Sequence, residues 1–160
     1  VQHHVENYGG TLPIWCAVHI LDWGSLQTLF SMLPKEIRRP IAAKLRLTPS
    51  VLDSWLNCLR VIRNISAHHS RFFNRSLSNT PTIPHNASEI GIMGLSEAKN
   101  KCFDQLTLIQ YLTCTMGLGH GTALPSVLAT FPATDVVPLR ATGTPDNWQS
   151  LPLWAYEPTT

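Results

Sequence analysis

Charge is scarce in this chain. Only 14% of its 160 residues are charged, against roughly 25% in ordinary soluble domains. A surface so poor in charge implies that a partner subunit or further chain covers part of it. Paired cysteines are missing too. Cys16, Cys58, Cys102 and Cys114 are scattered with no C-x-x-C among them, which excludes a disulfide framework and a zinc ribbon. Three of the four lie in apolar, helix-like runs, as buried thiols of a reducing compartment do. His3, His4, His85 and His120 share no ligand spacing with one another or with carboxylates, so neither a metal nor another cofactor is expected.

Uninterrupted hydrophobic runs are also lacking. The apolar stretch from Pro13 to Leu33 carries His19, Asp22, Ser25 and Gln27 and has no cleavage site. Those residues exclude a membrane span and a signal peptide, and a cytoplasmic location follows by elimination. No β-alternation of useful length and no internal repeat is present, so the expected fold class is all-α. With 44% hydrophobic residues, residues 1–160 have enough apolar material for a single domain. Val1 is not an initiator methionine, and the chain reads as the C-terminal part of a longer protein.

What charge there is sits unevenly. Between Lys35 and Arg75 lie Lys35, Arg38, Arg39, Lys44, Arg46, Arg60, Arg63, Arg71 and Arg75, opposed only by Glu36 and Asp53. Such a basic block is either a footprint for a polyanion or a solvated helical face.

Punctuation by proline, glycine and hydroxyl residues predicts the elements. After an irregular start ended by Gly9-Gly10, Pro13 opens a helix from Ile14 to Leu33, apolar on nearly every face and expected at the centre of the core. Pro34 begins a second, which Pro40 should kink or break. Thr48-Pro49 opens a third, reaching at least Ala67. Ser76 to Gly94 reads as loop. Ser96 caps a helix from Glu97 to about Met116, ended by Gly117 and Gly119, and a short helix near Ser126–Thr130 follows. From Phe131 the chain is an extended, Pro-rich tail packed across the body. Trp15, Trp23, Trp55, Trp148 and Trp154 are read as core residues in preference to base-stacking platforms.

Inside the third helix stands Arg63-Asn64-Ile65-Ser66-Ala67-His68-His69, a permanent cation, an amide and a titratable imidazole. At ~100° per residue, a helix continued through Arg75 gathers Arg60, Asn64, His68, Arg71 and Arg75 on one polar face. His69 falls on the apolar side, a packed core residue, which leaves His68 as the working imidazole. Arg63 lies about 140° from His68. A bend near Ser66, a wrapped arginine side chain or a second subunit would bring the two together, and a two-fold dimer is favoured.

Those groups suffice for transesterification of RNA. A histidine of ordinary pKa, ~6.5, takes the 2′-hydroxyl proton as general base. The guanidinium grips the phosphate through two parallel hydrogen bonds and stabilises the transition state's added charge. On residue types alone an Arg-Asn-x-x-x-His string is a weak signal, most such strings being helix surface.

Its setting is more specific. Leu59 through Arg75 (LRVIRNISAHHSRFFNR) resembles the signature of the Abi-like family (the AbiD/AbiF group), bacterial abortive-infection proteins of phage defence. Leu12-Pro-Ile-Trp15, Leu21-Asp-Trp-Gly24, the Leu56 region, and Thr142 to Trp148 through Trp154 look like further family landmarks. The resemblance implies a HEPN-like helical bundle, dimeric, whose ribonuclease members use an R-x(4–6)-H motif. By position it implies catalytic Arg63, Asn64 and His68, and His69 has a permitted spacing as well; Arg60, Arg71 and Arg75, read from the polar face of the wheel, are the expected RNA-binding residues. The implied activity is a toxin, a metal-independent endoribonuclease cutting tRNA or other RNA, answering to an antitoxin or a phage-derived trigger. His19 stands where family members usually have a glutamate, and a helical N-terminal region of typical members is missing. Ser70 replaces the tyrosine that is nucleotidylated in one variant of the superfamily. Two other classes compete: a non-catalytic RNA-binding or sensor module, and a structural HEPN dimer.

Overall fold

The computed structural model describes residues 2–10, 12–119, 121–132 and 134–155. Of the histidines set aside as metal ligands, His120 and the side chain of His4 lie outside the described residues. The described residues form seven α-helices and no strand: α1 (Gln2–Tyr8), α2 (Ile14–Ile20), α3 (Trp23–Met32), α4 (Lys35–Lys44), α5 (Pro49–Ala67), α6 (Cys102–Thr115) and α7 (Ala123–Ala129). The all-α expectation holds.

Thr48 begins α5 as expected, its hydroxyl accepting from Val51 N at 3.3 Å with Pro49 in the first turn. The heptad-like spacing of Val51, Leu52, Trp55, Cys58, Ile62 and Ile65 buries one face of this 19-residue helix. Against that face pack α3, α4 and α6. Trp55 is fully buried, meets Tyr111 of α6 edge-on at 5.5 Å, and donates its indole N–H to Thr82 O at 2.8 Å. Tyr111 in turn donates its hydroxyl to Leu45 O at 2.8 Å, so both buried aromatics have their polar atoms satisfied.

Several local expectations are corrected. The start is helical, not irregular: α1 spans Gln2–Tyr8. The single central helix from Ile14 to Leu33 is two helices, because the Asp22 carboxylate accepts from Ser25 N at 2.7 Å and restarts the chain as an N-cap. Only the second half of that segment joins the core: Phe30 of α3 is buried, whereas α2 has no buried residue and Trp15 is 69% exposed. Of the kink or break expected at Pro40, the break does not occur: α4 continues through it. The helix expected from Glu97 begins at Cys102 instead. The Asp104 carboxylate, three residues past Lys101, accepts from Lys101 N and Ser96 N, both at 2.7 Å, and folds the preceding segment over the helix start.

The region from Ser76 to Gly94 is loop as expected, and α6 ends at Gly117 in the left-handed conformation. The tail is packed but not extended. It coils into two 3-10 turns, Leu139–Thr142 and Trp148–Ser150. Gly143 between them has φ +85°, and a Cβ there would collide with the Lys101 side chain. Trp148, Leu151 and Trp154 pack on Phe103 and Leu128 as a second cluster, with Trp154 stacked on Phe103 at 4.7 Å.

Candidate active site

Every residue of the Arg63–His69 string lies on the last two turns of α5 or just past its end. The helix runs unbroken through Ser66 and stops at Ala67, which removes the bend as a way of joining Arg63 to His68. The stop is a Schellman turn. Ser70 N donates to Ile65 O at 2.9 Å and His69 N to Ser66 O at 3.1 Å, with His69 left-handed at φ +50°. His68 is the cap residue, its N–H bonded back to Asn64 O at 3.1 Å, and its side chain is exposed.

This ending corrects two expectations. His69 is exposed and not a packed core residue, because the left-handed turn carries it off the helix wheel. The polar face does not continue to Arg71 and Arg75. Both are exposed, but they stand on the irregular segment after the turn. That segment is tied down by Phe73, stacked on Phe131 at 5.7 Å, and by Leu77 N, which donates to Asn100 O at 2.9 Å.

The face that remains is Arg60, Asn64 and His68, one helical turn apart. Arg60 is half-buried and donates to Asn57 Oδ1 at 2.9 Å. Arg63 is exposed, and its Nη1 donates to Asn64 Oδ1 at 3.2 Å. The guanidinium is thereby drawn round the helix from its own face toward the face of Asn64 and His68. Of the two remaining ways to join arginine and histidine, the wrapped side chain is the one this contact serves.

A carboxylate overlooked in the sequence borders the site. The first turn of α3 lies along α5: Trp23 Nε1 donates to Leu56 O at 3.1 Å, and a Cβ on Gly24 would lie 3.6 Å from Arg60 Cδ. Asp22 heads that turn. Its carboxyl is held below its ordinary value by the backbone N–H and side chain of Ser25 first, and then by the charge of Arg63. The available signal was the aspartate directly before a helical run, an N-cap pattern. The side chain of His19, on exposed α2, makes no hydrogen bond among the described residues. No group of three or more His, Cys, Asp or Glu able to hold a metal occurs among the described residues. No described helix is long and apolar enough to cross a membrane.

Residues 1–74 match the family model described as Abi-like protein. No curated protein and no solved structure matches the chain. The family landmarks at Thr142–Trp148 and Trp154 fall beyond the matched residues, whereas α1 to α5, Asp22 and the whole Arg63–His69 string fall within them. Abi-like proteins are those of abortive infection, a phage-defence response. Over residues 1–74, the segment that builds its candidate site, the chain is similar to the Abi-like family.

Proposed function

We propose that the chain is an abortive-infection endoribonuclease that cleaves RNA without a metal. The observation that carries this reading is the Arg63–Asn64 hydrogen bond, which turns the guanidinium toward the helix face on which His68 stands exposed. His68, neutral, takes the proton of a ribose 2′-hydroxyl, and the freed oxygen attacks the adjacent phosphorus. The 5′-oxygen of the next nucleotide leaves and takes a proton from water. Arg63 holds the non-bridging oxygens as charge builds on them, and Asn64 keeps the arginine in place. The products are a 2′,3′-cyclic phosphate and a 5′-hydroxyl, and DNA is resistant.

Arg60, Arg71 and Arg75 hold flanking phosphates of the RNA, tRNA being one such substrate. The chain works as a homodimer, supported by the exposed Ile14, Trp15 and Ile20 of α2, which a second copy would cover. The test is RNA cleavage in EDTA by the chain and by Arg63→Ala and His68→Ala. Each variant is expected to fold with an unchanged circular-dichroism spectrum and to lose cleavage by at least about a hundredfold. Full cleavage by both variants would sink the reading. Salt-sensitive binding with no cyclic-phosphate product would favour the non-catalytic RNA-binding module instead.

A further inference from the structure

The basic block of the sequence does not gather at the Arg63–His68 end of α5. Three of its cations, Lys35, Arg38 and Arg39, come from the first turns of α4 and line a cleft of about 540 Å³ against Thr48, Pro49 and Ser50. That volume lies within the roughly 300–1,000 Å³ of small-molecule sites. We propose that this cleft binds a phosphoryl group, presented by a nucleotide or by an RNA backbone.

Three features bear on the ligand's charge. Arg38 is half-buried, and its Nε is a wholly buried donor with no hydrogen-bond partner. A buried donor without an acceptor is unfavourable, and this one belongs to a side chain that lines the cleft. Lys35 and Arg39 are exposed and form no ion pair with any described residue. The one carboxylate lining the cleft, Asp53, is engaged elsewhere, accepting from Ser31 Oγ at 2.6 Å and Gln27 Nε2 at 3.5 Å. Three positive side chains thus face one negative group already turned toward α3. The first turn of a 19-residue helix adds its positive dipole end.

A phosphoryl group suits this lining better than a carboxylate. Its several oxygens can take both an arginine fork and the one hydroxyl hydrogen that the Thr48–Ser50 hydrogen bond leaves free. At 1.5 Å rise per residue, the cleft lies roughly 20 Å along α5 from Arg63. The site is therefore separate from the proposed catalytic end and stands whether or not His68 cleaves RNA.

The experiment is isothermal titration of the whole chain with inorganic tripolyphosphate at low salt, with no RNA present. Arg38→Gln and Arg39→Gln should each weaken binding at least about tenfold, and Arg140→Gln should leave it unchanged. Because Arg39 is exposed, its variant keeps the test valid even if Arg38→Gln misfolds. No tripolyphosphate binding, or binding that Arg39→Gln leaves intact, overturns the proposal. A labelled octaribonucleotide then separates the sources. Its displacement by tripolyphosphate assigns the cleft to an RNA backbone; retention alongside tripolyphosphate assigns it to a free nucleotide.

Discussion

Arg63 donates a hydrogen bond to Asn64, and its charge is the last of the influences that lower the Asp22 carboxyl, after the hydrogen bonds from Ser25. A hydrogen bond to a charged group contributes about 1.5–3 kcal/mol. Asn64→Ala is accordingly expected to lower the cleavage rate about tenfold to a hundredfold, read in single-turnover kinetics on a variant that still folds. Asp22 makes a prediction in pH. Its carboxyl titrates below its ordinary value of 3.8 in the folded chain, so the ionised form is favoured by folding. That contribution is present above pH 3.8 and is lost as pH falls through the lower folded value. Asp22→Ala should therefore reduce the melting temperature at neutral pH, and the gap from the parent should shrink in acid. A constant gap at every pH would show that the charge is irrelevant.

Among the helices, α6 holds the two core clusters together. It presents Leu108 and Tyr111 to α5 and Phe103 to the tail tryptophans. Trp154 also donates its indole N–H to Thr107 Oγ1 at 3.1 Å. Truncating a buried phenylalanine costs about 3–5 kcal/mol. Phe103→Ala should lower unfolding free energy by that much in a urea titration, although it lies outside the segment matched to the Abi-like family. Helix ends were the least legible elements. Ser96 resembles a cap, but the true start of α6 is set by Asp104, which satisfies two backbone donors from the loop in front of it. At the other end of α5, a left-handed histidine does the work usually given to glycine, and nothing in its identity announces that.

Over the whole molecule the thiols separate by depth. Burial pushes Cys58 up to about 11, and burial with the nearby Asp104 charge pushes Cys102 to about 12; Cys114 is exposed. In native protein at mildly alkaline pH, a disulfide reagent should label Cys114 first and leave Cys58 and Cys102 unmodified until global unfolding. Mass spectrometry of the labelled peptides reads the order. The apolar surface is uneven as well. Ile14, Trp15, Ile20 and Met32 are exposed on α2 and α3, while Trp55, Trp148 and Trp154 are buried. Reading all five tryptophans as core was thus right for three: Trp15 lies on α2, which has no buried residue, and Trp23, at the head of α3, is 37% exposed.

Helical class, the Thr48-Pro49 start, the loop after Ser76 and the candidate residues themselves follow from local patterns. Hydroxyl caps, proline and apolar periodicity act over one or two turns of chain. The influence of Arg63 on Asp22, the end of the polar face at His68 and the gathering of Lys35, Arg38 and Arg39 in a cleft were decided by tertiary structure. Each depends on where one helix lies against another or on a backbone turn that carries side chains off the helical wheel, and spacing along a sequence contains neither quantity.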